Sequence, residues 1–313
     1  MPWTELSLRV TRRDWPRVER ALEDLGALSV TLLDAEDQPI LEPRPGETPL
    51  WELLVAQALF PREADRRGLV AALEELAFRI DRDAIAFREV ADADWTRAWM
   101  DQYRPMRFGE RLWVVPGGMA LPEDADAAAA VVVELDPGLA FGSGTHPTTA
   151  LCLAWLDRLA GEGRLAGRLV LDYGAGSGIL AVAALRLGAR MAIAVDNDPQ
   201  ALVATRDNAA RNGIEPERLL AMAPDDFAAD PRADGGCEVV VANILAGALV
   251  ALAPTLQRAA APGAPIALSG VLAAQADEVA AAYRDGLVDE PTVTPDGDWV
   301  RIDGVRAGGS APA

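Results

Sequence analysis

The chain has 313 residues, half of them apolar, with 48 acidic against 29 basic side chains and a formal net charge of −19. So apolar a chain excludes wholesale disorder, and its length supplies the core of two domains. The acidic excess disfavours unaided binding to a nucleic-acid backbone and suits either a basic partner or simple solubility.

No apolar run is long and charge-free enough to cross a bilayer. The N-terminus carries Glu5, Arg9, Arg12, Arg13 and Asp14, which a secretory signal would not. Cys152 and Cys237 are the only cysteines, too few for a disulfide framework or a zinc site. A cytoplasmic, reduced, metal-free protein is expected.

The first ninety residues alternate in a recognisable order. Thr4 to Val10 reads as a strand, Asp14 to Leu25 as an amphipathic helix and Ala27 to Leu33 as a second strand. After a proline-rich turn from Pro39 to Pro49, Trp51 to Leu59 reads as a third strand, although its pattern also fits a helix. Arg62 to Phe78 reads as a helix and Ala84 to Val90 as a fourth strand. The order β-α-β-β-α-β is that of a small ferredoxin-like α+β domain, placed at 1–91.

Asp92 to Tyr103 follows with Trp95 and Trp99 on one helical face, as in a linker helix (92–104) docking its tryptophans into an interface. Arg111 to Val115 and Val131 to Leu135 read as strands around an acidic, alanine-rich loop. From Pro147 onward, strands near 169–172, 191–195, 219–222, 238–242 and 264–269 alternate with helices. That rhythm is an open, mostly parallel α/β sheet of Rossmann-like type, spanning 105–306. Leu287 to Thr294, a turn at Pro295 to Asp298, and Trp299 to Val305 form a hairpin that puts an antiparallel strand into the sheet. Residues 307–313 read as a loose tail.

The run from Leu169 to Leu180 carries the most chemistry. It is a short buried strand, a glycine turn at Gly174, Gly176 and Gly178, and a helix start. Such glycines let backbone approach a ligand where a β-carbon would collide, and the helix aims its free N–H groups at it. Where the dinucleotide fingerprint wants its third glycine stands Ile179. Asp172, just before the turn, would repel a pyrophosphate and welcome a cationic amino-acid moiety. The combination points to S-adenosylmethionine rather than NAD. Asp196, ending the next strand, is placed to hold ribose hydroxyls, while Asp198 caps the helix from Pro199 to Asn212.

The stretch Asp136 to Thr149 packs three glycines, two prolines and three threonines, too irregular for a strand or helix until Pro147 opens one. Thr145 or His146 stands at the N-cap. The stretch reads either as an ordinary capped start or as a loop over the cofactor, and its glycine density favours the second. In that reading Phe141 is a wall and Thr145 a hydrogen-bonding group. His146, the only histidine, is expected to position the loop rather than act as a base.

The fourth strand of the sheet runs into Asn243-Ile244-Leu245-Ala246. A polar residue there faces the ligand crevice. Asn243 can orient a nucleophilic nitrogen through its amide oxygen, or merely cap the next helix. The prolines and ring that enzymes acting on flipped bases use at this point are missing, which argues for an aliphatic amine.

Taken together, Leu135 to Thr149, Leu171 to Leu180, Val239 to Gly247, Pro45 to Thr48 and Pro105 to Trp113 resemble the bacterial ribosomal protein L11 methyltransferase family (PrmA) over nearly the whole chain. The resemblance implies an N-terminal substrate-recognition domain, a linker and a catalytic class I methyltransferase domain. It also implies trimethylation of lysine ε-amines and of the N-terminal α-amine of that ribosomal protein, free or in the large subunit. Family cofactor contacts fall on Thr145, Gly174, Asp196 and Asn243, and the residue reading adds Phe141, Asp172 and Gly176, with Asn243 catalytic. The chain departs from the family pattern at Ser143, Ala175, Asn197 and in its tail. A methyltransferase of another protein or of a small-molecule amine would share every cofactor residue. An NAD-dependent oxidoreductase is the rival from another class, disfavoured by Asp172 and Ile179.

Overall fold

A computed structural model describes residues 3–36, 50–75, 85–90, 104–117, 119–123, 125–135 and 146–308. The chain divides into two compact units, Met1–Trp99 and Met100–Ala313. The expected linker helix lies almost wholly outside the described residues.

In the first unit, β1 (Trp3–Thr11), α1 (Trp15–Asp24), β2 (Ser29–Asp34), β3 (Leu53–Pro61), α2 (Arg66–Glu74) and β4 (Ala86–Val90) follow in order. The sheet order is β2-β3-β1-β4, with every neighbouring pair antiparallel. Alternation decides which face is buried: Leu6, Leu8 and Val10 of β1 and Leu54, Ala56, Ala58 and Phe60 of β3 pack with Trp15, Val18 and Leu22 of α1. The segment whose pattern also admits a helix is β3, paired residue for residue with β1 from Leu53 to Pro61. Helix α2 starts later than its pattern suggests, because the Asp65 carboxylate accepts the Arg67 N–H and caps it there.

The second unit opens on a three-stranded sheet of β5 (Met106–Phe108), β6 (Leu112–Pro116) and β7 (Val131–Leu135). Strand β5 forms a hairpin with β6, whereas β6 and β7 run parallel. The large sheet then takes β8 (Leu169–Tyr173), β9 (Met191–Val195), β10 (Leu219–Met222), β11 (Val239–Asn243), β12 (Pro265–Leu272), β13 (Thr292–Asp296) and β14 (Trp299–Val305). Its order is β10-β9-β8-β11-β12-β14-β13, parallel from β10 to β12, with β14 inserted antiparallel. This is the Rossmann-like α/β arrangement with one reversed strand.

Helices α3 (Pro147–Gly161), α4 (Ile179–Arg186), α5 (Pro199–Arg211), α6 (Pro224–Ala229), α7 (Ala246–Ala259) and α8 (Ala276–Arg284) accompany the sheet. Strand β8 is buried at every position and α4 from Ile179 to Leu185, so both read as apolar runs, interrupted in β8 only by the buried Asp172. Among the described residues, no helix is long and apolar enough to cross a membrane.

The final hairpin departs from its sequence pattern at one end. Leu287 and Val288 look like the start of β13, yet regular pairing begins at Thr292. Val288 donates its N–H to Val305, and Glu290 is then drawn outward to Arg284 at 2.9 Å, beside Pro291, which has no N–H to give.

Candidate active site

Strand order reverses between β8 and β11, whose neighbours lie on opposite sides, and in such sheets ligands bind outside the carboxyl ends at that switch point. At the end of β8 the chain turns through Gly174, with φ of 81°. The Gly174 and Ala175 N–H groups donate to the Val195 carbonyl at 2.7 and 3.0 Å, stitching the turn to the end of β9. A β-carbon at Gly174 would collide with Ile244 Cγ2, just beyond β11. The turn and the Asn243-Ile244 corner are therefore in direct contact.

The two acids differ in environment. Asp172 is fully buried. Its Oδ2 accepts the Ala181 N–H at 3.0 Å from the first turn of α4, while Oδ1 has no partner among the described residues. Burial pushes its carboxyl up to about 7; the Ala181 N–H opposes that rise and the Asp196 charge adds to it. Asp196 is half-buried and well satisfied, accepting Gly176 N–H on Oδ2 at 2.8 Å and Asp198 N–H on Oδ1 at 2.9 Å. Asp198 caps α5 through the Gln200 N–H, as its position before Pro199 predicts.

Asn243 is the last residue of β11, paired with Ser269 of β12. Its Nδ2 donates to Thr149 Oγ1 at 3.1 Å. Thr149 lies in the first turn of α3, whose cap is His146: Nδ1 accepts the Thr148 N–H and lies 2.8 Å from the Thr148 hydroxyl. The imidazole meets the Trp299 ring edge-to-face, with centroids 4.7 Å apart. Desolvation lowers its pKa. A capping acceptor at Nδ1 and a lowered pKa both describe a neutral, structural histidine.

Asp172, Gly174, Gly176, Asp196 and Asn243 thus gather at the carboxyl edge of the sheet. Phe141 and Thr145 lie outside the described residues. Sequence reasoning passed over Thr149, Trp299 and Gly270. Gly270, with φ of 84°, makes room for the Ile244 backbone, whose carbonyl carbon would lie 2.8 Å from any β-carbon there. A glycine inside an apolar strand was the available signal. Trp299 had none in the local sequence, because its ring meets His146 only once β14 is inserted beside β12.

A family model described as ribosomal protein L11 methyltransferase (PrmA) matches residues 2–307. A protein of that name from Stenotrophomonas maltophilia is 56% identical over 311 residues, covering 98% of this chain and 99% of its own length. Another from Azotobacter vinelandii is 53% identical over 306 residues, covering 98% and 100%. Among solved structures, the ribosomal protein L11 methylase from Lactobacillus delbrueckii subsp. bulgaricus aligns at a TM-score of 0.56 and 28% identity, covering 66% of this chain and 100% of that one. With a family match over nearly its full length and relatives above half identity, the chain belongs to the ribosomal protein L11 methyltransferase family.

Proposed function

We propose that this protein transfers methyl groups from S-adenosylmethionine to lysine ε-amines and the N-terminal α-amine of ribosomal protein L11, carrying each to the trimethyl state in the cytoplasm. The observation that carries the reading is the contact between the glycine turn and the Asn243 corner, which sets a nucleotide-type cradle beside a single amide. Substrate recognition is assigned to residues 1–91, with 92–104 as linker, 105–306 as the catalytic domain and 307–313 as tail. The acidic chain suits a protein partner, met free or in the large subunit, rather than nucleic acid.

The residues present suit the donor. The unpartnered Asp172 Oδ1 and the Gly174–Gly176 turn would take its cationic amino-acid end, and Asp196 its ribose hydroxyls, with Thr145 and Phe141 closing over it. When bound, S-adenosylmethionine supplies an activated methyl group to an incoming nucleophile. Asn243 then presents its amide oxygen to the N–H groups of the amine and keeps the nitrogen lone pair in line. Catalysis on this account rests on proximity and orientation. A lysine amine of pKa near 10.4 needs roughly 4–5 kcal/mol to shed its proton at pH 7. That proton goes to water before or during docking, so no side chain need serve as general base.

The test is to incubate the purified protein with labelled S-adenosylmethionine and a bacterial ribosomal-protein mixture, then identify the labelled band by mass spectrometry. Label on L11 that falls sharply in Asn243→Ala, to a small residual rate, is the expected result. Donor binding without label on L11 would overturn the substrate, and no donor binding would overturn the reading of the glycine turn.

A further inference from the structure

A carboxamide has two unlike ends, one accepting and one donating hydrogen bonds. The distinction matters at a site meant for an amine. An amide oxygen facing the crevice accepts the N–H groups of a neutral amine and leaves its lone pair free. An NH₂ facing the same way donates to that lone pair and competes with the methyl group for it. Something must decide which end of Asn243 faces out.

We infer that Thr149 is the positioning residue that fixes the orientation of the Asn243 amide for the acceptor amine, an inference that rests on the proposed amine methylation. Asn243 Nδ2 donates to Thr149 Oγ1 at 3.1 Å, and no described residue donates to its Oδ1. The amide is thereby tethered by its donor end, and its acceptor end is left for the substrate. A threonine hydroxyl oxygen carries two acceptor lone pairs, one of which takes the Asn243 Nδ2 donor.

The tether is rigid on the Thr149 side. Thr149 is fully buried, its N–H is bonded to the His146 carbonyl at 3.0 Å, and its β-branched side chain has few rotamers. Helix α3 is itself fixed by the His146 cap and by Arg301, which donates to the Leu151 carbonyl at 3.0 Å. The hydroxyl thus reaches β11 from an element 94 residues away in sequence. In this proposal the hydroxyl acts on the acceptor amine through Asn243, the side chain it bonds.

The experiment compares Thr149→Val, which keeps the shape and loses the hydroxyl, with Thr149→Ser, which keeps the hydroxyl. Initial rates on L11 at saturating S-adenosylmethionine are read beside KM for L11, S-adenosylhomocysteine affinity and thermal midpoint. Losing one oriented hydrogen bond should lower kcat by about tenfold in Thr149→Val, with both binding constants held and Thr149→Ser close to wild type. In an Asn243→Ala background the same substitution should change kcat by less than about twofold. A Thr149→Val enzyme with wild-type kcat would overturn the proposal, as would a Thr149→Ser enzyme equally impaired, or a loss that persists undiminished without Asn243.

A folding defect is separated by NMR. The two Asn243 side-chain N–H signals should be inequivalent in exchange with solvent in the wild type and lose that difference in Thr149→Val. Equal exchange in the wild type would overturn the tether. A wild type that does not label L11 would overturn the substrate reading instead, and the amide signal then decides the role of Thr149 alone.

Discussion

Asp196 Oδ2 accepts the Gly176 N–H at 2.8 Å, so the end of β9 holds the glycine turn that follows β8. The Asp198 N–H takes one site on the other oxygen. An ionised carboxylate has about four lone-pair sites, which leaves one free on each oxygen, the pattern that a vicinal diol needs. Asn in its place keeps the shape but gives up the charge and one acceptor. Asp196→Asn should therefore weaken S-adenosylhomocysteine binding by about 10- to 100-fold, the worth of a charge-assisted hydrogen bond. Titration calorimetry measures this, and unchanged affinity would remove Asp196 from the donor site.

Gly174 meets two constraints that can be separated. A β-carbon there collides with Ile244 Cγ2, and the φ of 81° is a left-handed conformation that L-residues adopt at a cost of about 1–2 kcal/mol. Gly174→Ala should lower stability by roughly 2–5 kcal/mol, the sum of that strain and local overpacking. Adding Ile244→Ala removes the collision and leaves the dihedral cost, so in chemical denaturation the double variant should fall less far below Ile244→Ala than Gly174→Ala falls below wild type. Equal losses in the two backgrounds would show that the contact is slack.

The buried Asp172 makes stability depend on pH in a particular direction. Its carboxyl is raised to about 7 in the folded chain, chiefly by burial, so the native state keeps a proton that the unfolded chain releases near its ordinary value. Stability contributed by this group is therefore full below about pH 4, falls between about pH 4 and 7, and is level above that, with a total of about 4 kcal/mol. Asp172→Asn keeps an acceptor for the Ala181 N–H and should abolish that slope. A cationic ligand favours the carboxylate, so donor affinity in the wild type should rise with pH through about 7 and stay weak and flat in the variant. Urea titrations and calorimetry across that range decide the point; parallel stability curves for the two proteins would refute it.

What was legible in the sequence is what local cues determine together. In Leu169 to Leu180 the apolar run, the spaced glycines and the all-apolar helix agree, and β8, its turn and α4 stand where those cues put them. Asn243 was legible because a polar residue ending a buried strand has few other places to face. Thr149 was not, because its hydroxyl finds Asn243 only after α3 is laid beside β11. The start of β13 misled for a related reason: Leu287 and Val288 have strand character, but Glu290 and Pro291 break the ladder before it resumes. Arg301 was invisible too, since an arginine in an edge hairpin ordinarily points to water.

Arg301 instead lies almost fully buried, 7% exposed, on β14. Its guanidinium donates to Asp303 Oδ1 at 2.7 and 2.9 Å, to Thr294 Oγ1 at 2.9 Å and to the Leu151 carbonyl of α3 at 3.0 Å. One side chain therefore joins both strands of the hairpin to the helix that carries Thr149. Among the described residues, Arg301→Met leaves Asp303 with only Arg158, 3.5 Å away, and should cost roughly 3–5 kcal/mol, as breaking a buried pair does. Arg301→Lys should recover little, because an ammonium cannot serve three directions in the plane of a guanidinium fork. Adding Asp303→Asn to Arg301→Met removes the stranded charge and should restore part of the loss. The urea midpoint at constant m-value reports these differences; a Lys variant as stable as wild type would show that charge alone, not the fork, holds α3 to the hairpin.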